Sequence, residues 1–128
     1  MITGGFKGRG VRVDAAGLWK EIEGIFPGVR CVGEYGMTEL SSQLWSPGPT
    51  APFSPPPWLL VNTVDPWTGA PAAEGLLRFV DLANHDSVLA IETEDLGRVD
   101  EDGNVRLLGR LPTAALRGCS LPMEAALG

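Results

Sequence analysis

The spacing of apolar residues near the start of the chain predicts one amphipathic helix. Its expected inner face consists of residues three or four positions apart, namely Leu18, Ile22, Ile25 and Phe26. Asp14 is placed to cap the first turn, because its carboxylate can accept a hydrogen bond from a free backbone N–H group there. Pro27–Gly28 ends the pattern. The helix is therefore expected to run from Asp14 to about Phe26.

Short apolar runs on both sides of this helix predict strands. Ile2–Thr3 leads into a pair of glycines, and Val29–Tyr35 has the length of a buried strand. Strand, helix and strand in this order are typical of a βαβ unit with parallel pairing. The sequence therefore predicts an α/β segment over residues 1–64, at the edge of such a unit.

The proline-rich stretch that follows separates this segment from a region of different texture. Six of the eleven prolines lie between Pro47 and Pro57, which excludes a helix or a central strand there because proline lacks a backbone donor. A strand over Trp58–Val64 and a turn over Asp65–Gly69 come next. The later candidate strands are Leu76–Leu82, Val88–Glu92 and Val105–Leu108. A small β-rich subdomain is therefore expected over residues 65–110.

Composition narrows the functional classes. The length of 128 residues suits one domain, and a net charge of −6 with scattered lysines and arginines argues against a nucleic-acid partner. No apolar run approaches the roughly 20 residues of a membrane span, and no secretory signal opens the chain. Cys31 and Cys119 match no metal-binding spacing. A cytoplasmic protein with free thiols is expected.

Several motifs carry candidate chemistry beside a plainer alternative. "GGFKGRG", from Gly4 to Gly10, could cradle a phosphate or form a flexible turn, and it fits no established phosphate-loop spacing. "DEDGN", from Asp100 to Asn104, fails the register of a calcium loop and favours a hairpin turn. His85 is a polar loop residue or a catalytic base. Cys119 is a nucleophile if Arg117 lowers its pKa, and otherwise a half-buried thiol.

Two further motifs place carboxylates beside hydroxyls. "ETEDLG", from Glu92 to Gly97, follows a predicted strand and could bind a metal or a sugar, or simply be a solvated strand end. In "EYGMTE", Thr38 and Glu39 are adjacent. A hydroxyl can bind a phosphate oxygen while a carboxylate holds the cation that neutralises it. This pairing suits chemistry in which a carboxylate attacks the α-phosphate of a nucleotide.

Taken in order, these motifs resemble the adenylate-forming, or acyl-activating, enzyme superfamily. Tyr35–Glu39 resembles its Tyr-Gly-x-Thr-Glu motif, and Gly4–Gly5 its glycine-rich segment near the adenine. Glu92–Gly97 resembles its Thr-Gly-Asp motif, and Leu107–Arg110 its Gly-Arg hinge. "GGFK", "YGMTEL", "DLAN", "TEDLG" and "LRGCSL" favour the acyl-protein synthetase family, of the fatty acid–luciferin-component ligase type. The match covers nearly the whole chain but only a later part of the family's large domain, so a fragment is expected.

The resemblance implies ATP or AMP and Mg²⁺ as cofactors. The cofactor-binding residues that it implies are Gly4, Gly5, Tyr35, Gly36, Met37, Thr38, Asp95 and Arg110. Among them Thr38 would contact the AMP phosphate, and Asp95 would accept hydrogen bonds from the ribose, with Arg110 close by. Glu39 would help to hold Mg²⁺. Thr38, Glu39 and Cys119 are the implied catalytic residues.

The reaction implied is attack of a fatty acid or another carboxylate on ATP, followed by transfer of the acyl group from acyl-AMP to a protein thiol. An acyl-carrying or reductase protein is the implied partner. Glu94 stands where the superfamily motif has glycine, and Thr113 where its hinge has aspartate. Residues 111–128 would be that hinge and the start of a further domain. Because the superfamily's phosphate loop and C-terminal lysine have no counterpart in this sequence, the chain is expected to be inactive alone.

Two other interpretations stay open at this stage. The chain could be a non-catalytic nucleotide-binding or assembly module that pairs with a separate upstream half. It could also be the product of a shifted reading frame that does not fold stably. Binding of AMP would favour the first of these over the second.

Overall fold

The computed structural model describes residues 2–3 and 15–111, and within them the chain is mostly β-sheet with one α-helix. A 3₁₀ turn lies at Leu82–Asn84. The elements, in chain order, are β1 Ile2–Thr3, α1 Ala15–Ile25, β2 Gly33–Tyr35, β3 Leu44–Ser46, β4 Leu59–Val64, β5 Glu74–Asp81, β6 Ala90–Val99 and β7 Val105–Arg110. Six of the residues singled out from the sequence lie outside the described residues: Gly4, Gly5, Asp14, Thr113, Arg117 and Cys119.

The larger sheet is an antiparallel meander in the order β4-β5-β6-β7. Three of its strands, β4, β5 and β7, were predicted within two residues of where they begin and end, and two of its turns were also predicted. Gly69 and Gly103 adopt positive φ angles of 68° and 83° in the turns after β4 and β6, a backbone conformation that glycine tolerates best. The turn at Asp100–Asn104 closes the β6–β7 hairpin, as the sequence predicted.

The smaller sheet has the order β1-β2-β3. β1 lies parallel to β2, with Ile2 beside Gly33, and β3 runs antiparallel to β2, with Tyr35 beside Leu44. The predicted βαβ unit stays a prediction, because its first connection falls in residues 4–14, outside the described part. β3 was not predicted, since three residues directly before a proline are too few to show a period of two.

A single buried cluster joins the two sheets. Seven residues form it: Leu40, Leu44, Leu59, Val61, Leu77, Phe79 and Val105. Leu40 comes from the loop after β2, and Phe79 from the centre of β5. The loop that carries "MTE" is therefore anchored in the same core as the four-stranded sheet.

The inner face of α1 differs from the predicted one. Ile25 and Phe26 are 69% and 57% exposed, whereas Trp19 is only 6% exposed. A Cβ atom at Gly33 would lie 3.5 Å from Trp19 Cζ2. The indole therefore packs beside β2, and this large ring takes the buried position that the spacing of the aliphatic residues assigned to others.

β6 is longer than predicted and contains the acidic motif that was expected to follow it. Two ion pairs to β5, Arg78–Glu92 and Glu74–Arg98, neutralise charged residues within the strand. Gly97 is buried, and a Cβ atom there would lie 2.7 Å from Leu77 Cδ2. Glycine at this position leaves room for the Leu77 side chain. Because β6 pairs with both β5 and β7, "ETEDLG" is part of a strand and not a solvated strand end.

Candidate functional site

Tyr35, at the end of β2, is held by two aromatic rings and one carboxylate. Its ring stacks on Phe79 at a centroid distance of 5.9 Å and meets Phe53 edge-on at 6.2 Å. Its hydroxyl donates a hydrogen bond of 2.7 Å to Asp95 Oδ2. Burial, and then the hydrogen bond to Asp95 and its negative charge, raise the pKa of the Tyr35 phenol well above its usual value. The phenol is therefore a fixed neutral donor.

Asp95 is paired on its other side with Arg110. The two residues lie opposite each other on β6 and β7, and Arg110 Nε is 2.8 Å from Asp95 Oδ1. Arg110 Nη2 also lies 3.1 Å from Glu94 Oε2. Glu94, the departure from the superfamily's Thr-Gly-Asp motif, thus has a partner of opposite charge. We call Tyr35, Glu94, Asp95 and Arg110 the Tyr35 cluster.

The Asp95 carboxylate keeps room for a ligand. One oxygen accepts from Tyr35 and the other pairs with Arg110, which uses about half of the roughly four lone-pair positions of a carboxylate. The side chain is 22% exposed, so its remaining lone pairs can be reached from solvent. These remaining acceptor positions suit a neutral hydroxyl-bearing group, such as the ribose of a nucleotide, better than an anion.

The residues after Tyr35 form a tight loop, Gly36–Leu40, which we call the Thr38 loop. Thr38 and Glu39 occupy its turn, both exposed, and Thr38 Oγ1 donates to Glu39 Oε2 at 3.0 Å. Leu40 is buried in the core, and its N–H donates to Met37 O. A Cβ atom at Gly36 would lie 2.6 Å from Glu34 Oε1, so a larger residue there would displace the end of the Glu34 side chain.

Two buried polar residues anchor the end of the Thr38 loop. Asn84 Nδ2 donates to the backbone oxygen of Glu39 at 2.7 Å. Asp81 accepts hydrogen bonds from the backbone N–H and the hydroxyl of Ser42 at 2.9 and 2.8 Å. In the sequence, "DLAN" was interpreted only as a motif shared with the family, and these contacts were not predicted. The available signal was a pair of short polar residues at the end of an apolar run, because buried polar groups must find partners.

The donor chemistry of Glu39 fits a single magnesium ligand. Magnesium is usually held by one or two carboxylates, with phosphates and water completing its shell. Over residues 2–3 and 15–111 no group of three or more histidine, cysteine, aspartate or glutamate side chains is placed to hold a metal alone. Glu39 is exposed and supplies one hard oxygen donor, so the other ligands would come from substrate and solvent.

The remaining candidates make no recorded contact with these two regions or lie outside the described residues. His85 Nε2 is 3.0 Å from Asp86 Oδ2 in an exposed turn, with 76% of the His85 side chain accessible, as expected of a polar loop residue. Cys31 is a buried free thiol. Gly4, Gly5 and Cys119 fall outside the described residues. None of the helices in the described part of the chain has both the length and the apolar character that crossing a membrane requires.

Comparison of the sequence with known proteins finds a similar curated ligase. No protein-family model matches the chain. A long-chain-fatty-acid–luciferin-component ligase from Aliivibrio fischeri is 34% identical over 79 residues, covering 53% of this chain and 21% of that protein. The chain therefore spans about a fifth of the length of this curated relative.

Solved structures share the fold. Coronafacic acid ligase from Pectobacterium brasiliense has a TM-score of 0.53 at 22% identity, covering 75% of this chain and 22% of its own. CmiS6 has a TM-score of 0.54 at 21% identity, covering 75% of this chain and 31% of its own. At these identities the structures bear on the fold alone. The curated relative confirms the predicted resemblance of this chain to a fatty acid–luciferin-component ligase, and the solved structures agree with it in fold.

Proposed function

We propose that the chain supplies the nucleotide-binding corner of an acyl-activating ligase that makes acyl-AMP from a carboxylate and ATP. The observation that carries this proposal is the Tyr35 cluster. Three motif residues from distant parts of the sequence, Tyr35, Asp95 and Arg110, meet through one hydrogen bond and one ion pair. The relatives are acyl-adenylate-forming ligases, which supports the same general chemistry here.

In this proposal the Tyr35 cluster binds the sugar of the nucleotide. Asp95 accepts hydrogen bonds from ribose hydroxyls with the lone pairs that Tyr35 and Arg110 leave available. Arg110 and the neutral Tyr35 phenol hold the carboxylate in one orientation, so it is fixed before the ligand arrives. Gly36 and Met37 then lie along the adenine and acyl-carbonyl side, with Gly4 and Gly5 as further candidates near the adenine.

The Thr38 loop would bind the phosphate end. Thr38 Oγ1 donates to Glu39 in the free protein, and the same O–H can turn to donate to a phosphate oxygen. That change frees Glu39 Oε2 to bind a magnesium ion. ATP, when bound, supplies the α-phosphate that the substrate carboxylate attacks, with pyrophosphate leaving. The protein's part is to orient the phosphate and to place a negative oxygen donor beside the cation.

The second half-reaction is proposed on sequence grounds. A thiol sulfur would attack the acyl carbon of acyl-AMP, forming a thioester, releasing AMP and losing its proton to solvent. Cys119 is the candidate thiol within this chain, and an acyl-carrying or reductase protein is the candidate partner. A fatty acid is the favoured substrate because the curated relative is named for one.

Calorimetry with AMP and a non-hydrolysable acyl-AMP mimic tests the nucleotide site. The wild-type chain is expected to bind the mimic, and Asp95→Asn to weaken binding by about tenfold or more, as loss of a charged hydrogen-bond acceptor does. Asp102→Asn is the matched control, because it makes the same change in an exposed turn. A folded wild type that binds neither ligand, or binding that Asp95→Asn leaves unaltered, would count against the site.

Pyrophosphate exchange separates a ligase from a non-catalytic module. Since the chain spans 21% to 31% of its relatives, we expect it to bind nucleotide but to show no fatty acid-dependent exchange alone. Adding a polypeptide that carries the relatives' upstream portion should restore exchange if the chain belongs to a split enzyme. Binding without exchange in the assembled pair would favour the binding or assembly module.

A further inference from the structure

We propose that Asn84 is a positioning residue that fixes the backbone of Glu39 and so aims the Glu39 carboxylate. This inference rests on the proposed function, in which Glu39 binds the cation. Asn84 is only 5% exposed and lies at the end of the 3₁₀ turn after β5. It is therefore not part of the ligand-facing surface and acts through the Thr38 loop.

The Asn84 amide is used on both of its sides. Nδ2 donates to Glu39 O at 2.7 Å and to Val88 O at 3.2 Å. Oδ1 accepts from the Ser41 N–H at 3.0 Å and also from the Ser41 hydroxyl. The asparagine amide offers two N–H donors and one acceptor oxygen. Aspartate has no donor, and alanine has neither a donor nor an acceptor. The chemistry at this position is matched to asparagine.

Asp81 extends the same anchor by one residue. It is fully buried, and its carboxylate accepts from the Ser42 N–H, the Ser42 hydroxyl and the Ala83 N–H. The Ser42 hydroxyl also accepts a hydrogen bond from Trp58 Nε1. Glu39 and the two serines after Leu40 are thus tied to the end of β5 and its 3₁₀ turn. Buried networks of this kind hold one geometry when every member is satisfied.

The backbone anchor contrasts with the freedom of the side chains it serves. The hydroxyl of Thr38 and the carboxylate of Glu39 contact each other and are exposed. No packing directs the Glu39 carboxylate, so its direction depends on where the backbone places its Cα–Cβ bond. A cation site needs its donor held within a fraction of an ångström before binding. Asn84 supplies that constraint.

Amide hydrogen exchange measures the anchor without any ligand. In the wild-type chain the Ser41 N–H should be protected by Asn84 Oδ1. Asn84→Ala should speed its exchange by about tenfold or more, as loss of one buried hydrogen bond does. Asn84→Asp should keep this protection but shift the carbonyl resonance of Glu39, because only the donor side is lost. Asn62→Ala, an exposed asparagine on β4, should change neither signal.

The magnesium dependence of mimic binding measures the consequence. Wild-type binding should tighten with Mg²⁺, while both Asn84 variants should lose most of that gain and keep magnesium-free binding within about twofold of wild type. Val61→Ala, a core change outside the loop, serves as a control for lost stability and should retain the magnesium gain. Retention of that gain in Asn84→Ala would overturn the inference.

The two proposals fail in different ways. If the folded wild type binds no mimic, the proposed function falls, and the positioning inference is judged on Ser41 exchange and the Glu39 carbonyl resonance alone. If the mimic binds and both of these signals are unchanged in Asn84→Ala, the positioning inference falls and the proposed function stands.

Discussion

Tyr35 directly precedes the Thr38 loop in the sequence, but the Tyr35 cluster and the loop are held in place in different ways. The cluster consists of side chains that neighbouring strands, rings and an ion pair hold from several directions. In the loop the side chains of Thr38 and Glu39 are exposed, and the backbone is held by a hydrogen bond from the buried Asn84. Packing sets the first region, whereas a few buried hydrogen bonds set the second.

This difference matters for how each region could bind a ligand. A carboxylate that is already oriented by two partners loses little freedom on binding, so its contribution is available at once. An exposed carboxylate must give up a partner or a water molecule when it binds the ligand. Its position depends on how well the backbone that carries it is fixed. Changes to the cluster should therefore cost stability, whereas changes to the loop's side chains should cost function with little loss of stability.

Removing the ring beneath Tyr35 should have the largest effect. Phe79 is fully buried and stacks on Tyr35, so Phe79→Ala leaves a cavity in the shared core and should lower the free energy of unfolding by about 3–5 kcal/mol. Urea denaturation followed by tryptophan fluorescence measures this loss. Leu82→Ala, at a residue that is 62% exposed, should change stability by less than about 0.5 kcal/mol. Equal losses would mean that the cluster does not depend on the core.

Removing one hydroxyl from each region tests the comparison directly. Tyr35→Phe deletes the donor to the Asp95 carboxylate in a half-buried setting and should cost about 1.5–3 kcal/mol of unfolding free energy. Thr38→Val deletes a donor between two exposed groups and should cost less than about 0.5 kcal/mol. Both variants are compared with wild type in the same urea series. A larger loss in Thr38→Val would reverse the assignment of which region is set by packing.

How much of this contrast could be predicted depends on what sequence patterns encode. Glycine and proline residues indicated the turns at Asp65–Gly69 and Asp100–Asn104. Runs of apolar residues between the turns predicted β4 and β5 to within two residues at each end. The full length of β6 could not be predicted, because its charged residues are neutralised by partners on β5 that no local pattern reveals. The buried face of α1 depends on how the Trp19 ring packs beside β2, which is also a tertiary property.

The candidate site divides in the same way. Tyr35, Thr38, Glu39, Asp95 and Arg110 stand out through motif resemblance, and their roles stay proposals. The contacts of Asp81 and Asn84 could not be predicted, because they join residues about forty positions apart through side-chain-to-backbone hydrogen bonds. Such anchors follow from where two sheets meet, and neither spacing nor composition contains that information.

Alkaline pH offers a smaller and reversible test of the Tyr35 cluster. The pKa of Tyr35 is raised in the folded protein, so the folded state holds its proton more tightly than the unfolded chain, whose phenol titrates near pH 10. This contribution is fully present below about pH 10. It should then decline with rising pH by no more than about 1.4 kcal/mol per unit. Tyr35→Phe should lack this slope.

Tyr35 is the only tyrosine in the chain, which makes the measurement direct. Near-ultraviolet absorbance should show no tyrosinate in the folded protein above pH 10, until the chain unfolds. Tyrosinate that appears near pH 10 while tryptophan fluorescence still reports a folded chain would show that the phenol is not buried against Asp95. The Tyr35→Phe variant supplies the background from all other alkaline titrations.

Acid should produce the smallest effect, at the turn that joins the strands carrying Asp95 and Arg110. Asp100 accepts hydrogen bonds from the backbone N–H groups of Asp102 and Asn104 at 3.1 and 2.8 Å. The hydrogen bond from the backbone of Asn104 is the main reason that the pKa of Asp100 lies below its usual value. A lowered pKa means that the stabilisation is present above about pH 4 and is lost as pH falls through the folded-state value.

The melting temperatures of wild type and Asp100→Asn should therefore differ at neutral pH, with wild type higher, and converge on acidification. Asp102→Asn removes a carboxylate two residues further along the same turn, to which no group in the described part of the chain donates a hydrogen bond, so it should match wild type at neutral pH. The turn lies in solvent, so the difference should be smaller than for any change at Tyr35. A difference that persists at low pH would show that Asp100 acts through its shape and not through its charge. The β6–β7 hairpin would then hold Asp95 opposite Arg110 independently of this turn's ionisation.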